Sequence, residues 1–165
     1  MKTSEFPRMH VSLYVKDVNA TTDFYQKFFG LDASKKRPGY AKFELENPNL
    51  IISFVENETE VQPLFGHLGF QVGTVEELNL RLEAIKEFDM NTLEETGTSC
   101  CYAKQDKFWV TDPDGYRWEV YYVHEDVEWN DPKYNGTADA CCSPAMVVEP
   151  VKKEETCCDP ASGCC

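Results

Sequence analysis

His10-Val11-Ser12-Leu13-Tyr14-Val15 and His67-Leu68-Gly69-Phe70-Gln71-Val72 are two copies of one pattern, offset by 57 residues. Each opens on a histidine and then alternates, as a half-buried strand must when successive side chains point to opposite faces. A helix signal follows each copy. After the first, Asp17 or Asn19 can cap a helix whose apolar face holds Phe24, Tyr25, Phe28 and Phe29, and Gly30 stops it. After the second, Thr74 can cap a run with Val75, Leu78, Leu82 and Ile85 at helical spacing, and Glu77 stands where a capping box wants an acid. Strand-like pieces complete both copies: Tyr40–Glu46 and Leu50–Glu56 in the first, Cys101–Ala103, Phe108–Thr111 and Tyr116–Val123 in the second. Asp112-Pro113-Asp114-Gly115 is a strong turn signal between the last two. The expected fold class is therefore α+β: two paired βαβββ modules, about 8–60 and 65–124, forming a cup-shaped mixed sheet. Half-domains this short are marginal alone, which favours intimate pairing of the two.

The periodic pattern stops near Glu125. Residues 125–165 carry nine acids and three bases, a net charge of −6, which leaves −7 on the first 124 residues. A segment of this composition buries too little apolar surface to offset its chain entropy. The division read here is a folded domain over 1–124 and an acidic, mobile, disordered Cys-rich tail over 125–165.

His10 and His67 occupy equivalent positions in a chain with three histidines. A lone histidine in such a place is usually a hydrogen-bonded rim residue, but repeat equivalence changes the reading, because pseudo-twofold pairing of the first strands brings the two imidazoles together. A third donor is expected from the last strand, where Arg117, Glu119 and Tyr121 share one face. Glu119 is an acid in an aromatic, strand-forming run, and burying it unpaired is costly unless a metal supplies the partner. Two histidines and one carboxylate form the set expected of non-haem Fe(II) oxygenases, with positions left open for dioxygen and substrate. His124, beside Glu125 and Asp126, reads as a surface residue.

All eight cysteines stand in adjacent pairs: Cys100-Cys101, Cys141-Cys142, Cys157-Cys158 and Cys164-Cys165. Neighbouring residues are about 3.8 Å apart at Cα, short of the roughly 4.4–6.8 Å that a disulfide prefers. Two adjacent thiolates on a turn can instead close on one soft, thiophilic atom. In a regular strand Cys100 and Cys101 would point to opposite faces, so they are expected on a turn or bent loop after Gly97, able to swing as a lid.

Composition narrows the setting. A net charge of −13 argues against nucleic acid as partner and disfavours an anionic membrane surface. No stretch approaches the roughly 18 apolar residues of a membrane span, and the first ten residues hold no apolar run of the secretory type. Paired rather than spaced cysteines fit reduced thiols, so a cytoplasmic setting is expected.

The repeated halves, the histidine heading each, and the DPDG turn before Trp118-Glu119-Val120 resemble the vicinal-oxygen-chelate superfamily, which includes glyoxalase I, bleomycin- and fosfomycin-resistance proteins and extradiol dioxygenases. Adding Gly97-Thr98-Ser99-Cys100-Cys101 and a Cys-pair tail, residues 8–124 resemble the arsenic-inducible C–As lyases. The resemblance implies an Fe(II)-dependent dioxygenase that cleaves the carbon–arsenic bond of trivalent organoarsenicals, such as methylarsenite and trivalent aromatic arsenicals. Arsenite and an oxidised organic fragment would be the products, and dioxygen the co-substrate. It matches His10, His67 and Glu119 to the iron ligands and Cys100 and Cys101 to the pair that holds arsenic; nickel, cobalt or zinc can occupy such a site in vitro. The protein is expected as monomer or homodimer.

Two rival readings stand beside it. A glyoxalase-I-like metal-dependent lyase would use a second glutamate, one from each half; its first-half position should fall in Leu50–Phe54, which holds no carboxylate. A soft-metal or metalloid sequestering protein, binding arsenite or cadmium without turnover, would use Cys141, Cys142, Cys157, Cys158, Cys164 and Cys165.

Overall fold

The computed structural model describes residues 8–100 and 102–129. Of the tail expected over 125–165, Glu125 and Asp126 belong to the last strand, while the residues beyond 129 with their three cysteine pairs, and Cys101, lie outside the described residues. Chain order is β1 (Met9–Val15), α1 (Val18–Phe29), β2 (Lys35–Arg37), β3 (Tyr40–Leu45), β4 (Leu50–Glu56), β5 (Leu68–Gln71), α2 (Val75–Lys86), β6 (Thr92–Cys100), β7 (Ala103–Thr111) and β8 (Arg117–Asp126). Two four-stranded mixed sheets result, ordered β1-β4-β3-β2 and β5-β8-β7-β6. In each, the first strand of a module runs parallel to the last, and the remaining pairings are antiparallel. The duplicated βαβββ reading holds.

Local chemistry explains the helix ends. The Asp17 carboxylate accepts from the backbone N–H groups of Asn19 and Ala20 at 2.7 and 3.2 Å, and Gly30 closes α1 with φ 68°. Thr74 Oγ accepts from Glu77 N at 3.1 Å, while the Glu77 carboxylate reaches back to Gly73 N, one residue earlier than a capping box requires. The strand expected over Cys101–Ala103 is replaced by a hairpin that the sequence did not announce: Cys100 ends β6, Ala103 opens β7 opposite it, and Tyr102 takes φ 61° in a turn. The short strand β2 has no apolar alternation to announce it, because Lys35, Lys36 and Arg37 are all exposed.

The two modules share one interior. Leu13, Val15, Tyr25, Phe43, Ile52 and Phe54 of the first module form a cluster that also takes in Tyr116 and Trp118 of the second. Phe24 and Phe28 of α1 also pack against the second cluster, built from Val72, Leu78, Ile85, Phe108, Val110 and Val120. The DPDG turn fastens the seam. The buried Asp112 carboxylate accepts from Tyr25 Oη at 2.9 Å and from the backbone of Asp114 and Tyr116. Trp118 Nε1 donates to Tyr25 Oη at 2.8 Å, and Asp114 accepts from Lys16 N. The turn read from sequence as a connector is thus the main polar joint between the halves.

That joint carries a pH signature. Burial pushes the Asp112 carboxyl up from 3.8 to about 6, against the pull of the hydrogen bonds from Tyr25, Tyr116 and Asp114. The folded chain therefore binds this proton more tightly than the unfolded chain. This contribution to stability is fully present below about pH 4 and is lost as pH rises through about 6. At 1.36 kcal/mol per unit the swing is on the order of 3 kcal/mol. Urea unfolding of Asp112→Asn and the unaltered protein should diverge by that order between about pH 4 and pH 7, in favour of the variant at the higher pH. A difference that stays constant with pH contradicts this account.

Candidate functional site

In both sheets the face turned away from the helices carries the polar residues. β1 sends Leu13 and Val15 into the core and leaves His10 and Ser12 outside; β4 sends Leu50, Ile52 and Phe54 into the core and carries Ile51 and Ser53, itself buried, on the opposite face. β8 buries Trp118 and Val120 in the two core clusters and puts Glu119 on the opposite face.

The parallel registers make the two modules directly comparable. Ser12 lies opposite Ser53, and its repeat equivalent Gly69 lies opposite Glu119. Ser53 therefore stands in the first module where Glu119 stands in the second. Each meets the histidine at the head of its own module. His10 Nε2 is 3.2 Å from Ser53 Oγ, and His67 Nε2 is 3.4 Å from Glu119 Oε2. One contact is made twice, once to a hydroxyl and once to a carboxylate.

Around Glu119 the contacts close into a ring across three strands and His67, the residue before β5. Lys107 Nζ donates to Glu119 Oε1 at 2.9 Å and lies 3.5 Å from Glu95 Oε2. Glu95 accepts from Trp109 Nε1 at 3.3 Å, and the Trp109 ring meets the His67 ring edge-on at 5.0 Å. Burial works to raise the Glu119 carboxyl, but the hydrogen bond from His67 and the charge and hydrogen bond of Lys107 outweigh it. The group is held below the ordinary carboxylate value. An ionised carboxylate and an imidazole facing one another are the right donors for a divalent ion of borderline softness.

Gly69 makes this approach possible. A Cβ built there would lie 2.8 Å from the Glu119 backbone oxygen and 3.3 Å from its Cβ, so no side chain fits between β5 and β8. Gly69→Ala should force the strands apart at a cost of about 1–3 kcal/mol. It should also weaken divalent-ion binding through displaced Glu119; thermal unfolding and metal titration check both. A variant with unchanged melting and ion affinity contradicts the close-approach argument.

The structure thus brings His67 and Glu119 together and leaves His10 with Ser53 in the first sheet. Among the described residues, no three histidine, cysteine or acidic side chains are gathered as a metal-holding cluster. Cys100 lies at the end of β6, five residues beyond Glu95, on a ladder whose register shifts between Glu95 and Thr98. Gly97, within that shift, has φ 62° and donates its N–H to Asp106 Oδ1 at 2.6 Å. Asp106 also meets His124 Nε2 at 2.8 Å, so the exposed histidine at the domain's end has a partner beside this break. A cavity of about 690 Å³ lies elsewhere, between the end of α1 and α2, and His10, His67, Lys107 and Glu119 do not line it.

Ser53, Lys107, Glu95 and Trp109 were not singled out from sequence. Lys107 left a readable sign: a lysine immediately before the apolar run Phe108-Trp109-Val110, spaced by two from Trp109 on a strand. Ser53 left none until the register was known.

Two βαβββ modules, a histidine heading each, and a carboxylate on the last strand define the class. The model of the Glyoxalase/Bleomycin resistance protein/Dioxygenase superfamily matches residues 9–120, and the chain belongs to that superfamily. It is 39% identical over 137 residues to the trivalent organoarsenical cleaving enzyme of Thermomonospora curvata, covering 83% of this chain and 89% of the relative. It is 37% identical over 147 residues to the cadmium-induced protein of Mycobacterium tuberculosis, covering 86% of this chain and 96% of the relative. The solved structure of a possible glyoxalase from Bacillus cereus superposes with a TM-score of 0.54 at 28% identity, covering 70% of this chain and 97% of that one. Among the described residues no helix is long and apolar enough to cross a membrane.

Proposed function

We propose that this protein cleaves the C–As bond of trivalent organoarsenicals, with Fe(II) as its resident metal and dioxygen as co-substrate, releasing arsenite. The observation that carries the reading is the pairing of His67 with an ionised Glu119 while Ser53 takes the equivalent place in the first module. A glyoxalase-I-like lyase would need a second carboxylate there. The name of the Thermomonospora relative supports the arsenical substrate.

His67 and Glu119, already in contact, would hold the metal, which would supply dioxygen activation; His10, paired with Ser53 in the first sheet, would have to leave that contact to serve as the third ligand. The chain's own residues do the rest. Cys100 and Cys101 capture the arsenical: two thiols displace the two hydroxyls of a trivalent monoorganoarsenical as water, forming two As–S bonds and leaving the carbon substituent in place. Capture turns a bimolecular encounter into an effectively intramolecular one. The cysteine hairpin has ground to cover. From Ala103 to Trp109, which lies opposite Glu119, is six residues of β7, or roughly 20 Å at about 3.3 Å per residue. Folding back at Gly97 is the route this reading assigns, since the ladder is already broken there and nothing lies within 4 Å of its open side.

The test is arsenic speciation. Protein loaded with Fe(II) without oxygen, then given methylarsenite and finally dioxygen, should release arsenite. Methylarsenite retained stoichiometrically with no arsenite formed contradicts the enzyme. That outcome would favour sequestration, to which the tail pairs and the cadmium-induced relative lend support.

A further inference from the structure

We propose that Lys107 is a positioning residue: it ties down one oxygen of Glu119 so that only the other is offered to an ion shared with His67. The proposal rests on the metal-site reading above. Its ground is an unusual placement. The Lys107 side chain is 1% exposed, in a strand whose neighbours Phe108 and Val110 are core residues. Burying an ammonium is expensive, and a buried ion pair seldom repays the cost in stability over an apolar pair of similar volume. A lysine kept there is better explained by what it does to its partner.

Its contacts divide the Glu119 carboxylate into two ends with different work. Lys107 Nζ lies 2.9 Å from Oε1, and His67 Nε2 lies 3.4 Å from Oε2. A free carboxylate can close on an ion with both oxygens. One whose Oε1 is already hydrogen-bonded offers a single donor, which keeps a further position at the ion open. The ammonium also repels a nearby cation, so the site binds its ion less tightly than two histidines and an unshared glutamate would. Glu95 moderates this. It lies 3.5 Å from Lys107 and accepts from Trp109, sharing the lysine's charge and holding the indole against His67. The ring sets both the orientation of Glu119 and how much positive charge it feels.

The experiment titrates the metal-free full-length chain, with its six tail cysteines changed to serine so that they do not bind the ion, with Co²⁺ alone, read by visible absorption, which reports both affinity and coordination number. The paired variant Lys107→Met with Glu95→Gln removes one charge of each sign. Freed of its tether, Glu119 should bind with both oxygens: affinity should rise roughly tenfold, about 1.4 kcal/mol, and the cobalt bands should weaken as coordination number increases. Lys107→Arg should restore the unaltered spectrum. Glu95→Gln alone leaves the lysine's charge on Glu119 and keeps an acceptor for Trp109, so cobalt should bind several-fold more weakly. This milder variant decides the matter if the paired one does not fold. Unchanged spectra, with affinity equal or moved in the opposite direction, overturn the proposal. His67→Ala and Glu119→Ala serve as the separate control: if they bind cobalt as the unaltered chain does, the metal-site reading itself fails.

Discussion

Glu119→Ala or His67→Ala protein, loaded with Fe(II) and given methylarsenite and dioxygen, is expected to release arsenite at less than about a hundredth of the unaltered rate. Residues that only orient a metal ligand cost about 10–100-fold when lost, and these two are assigned as ligands. Glu119→Ala takes one partner from the buried Lys107 and leaves it Glu95, so thermal unfolding of each variant is measured beside turnover to separate lost chemistry from lost folding. Glu119→Gln is the sharper test, because it keeps the size and the Lys107 contact but removes the charge that the ring holds on the carboxylate. Folded variants with normal turnover would show that the His67–Glu119 pair is a structural hydrogen bond and nothing more.

Cys100→Ser and Cys101→Ser are each expected to abolish turnover while leaving metal binding unchanged. A hydroxyl is a hard donor and a poor match for arsenic, so a single substitution breaks the two-point capture. Well-oriented intramolecular reactions reach effective molarities of about 10⁵–10⁸ M. Losing even a small part of that advantage should cost more than roughly a thousandfold. The split between the two sets of variants is informative: ligand variants should lose metal, and thiol variants should keep it. Serine variants that turn over normally would leave the pair as ordinary hairpin residues.

The fold was largely legible because its signals are local and repeated. Asp17 and Gly30 bound α1 as their side-chain chemistry requires, Thr74 opens α2, and the His10 and His67 strands head their modules. The hairpin around Cys100 was not legible in detail. Residues 92–100 mix Thr, Glu and Gly without clean alternation, and their strand exists because they pair with β7. The candidate site was legible as a list of donors but not as an arrangement. The contacts of Ser53 with His10 and of Lys107 with Glu119 join residues 43 and 12 positions apart, and only the registers of β1 on β4 and of β7 on β8 bring them together. The inter-module joint at Asp112 was hidden for the same reason: its partner Tyr25 is 87 residues away.

The most direct test of C–As cleavage uses a chain in which Cys141, Cys142, Cys157, Cys158, Cys164 and Cys165 are all serine, so that tail thiols bind nothing. With Fe(II), dioxygen and excess methylarsenite, the account predicts many arsenite molecules released per polypeptide, with dioxygen consumed alongside. Arsenite that never exceeds the amount of protein, or methylarsenite recovered intact, would contradict it.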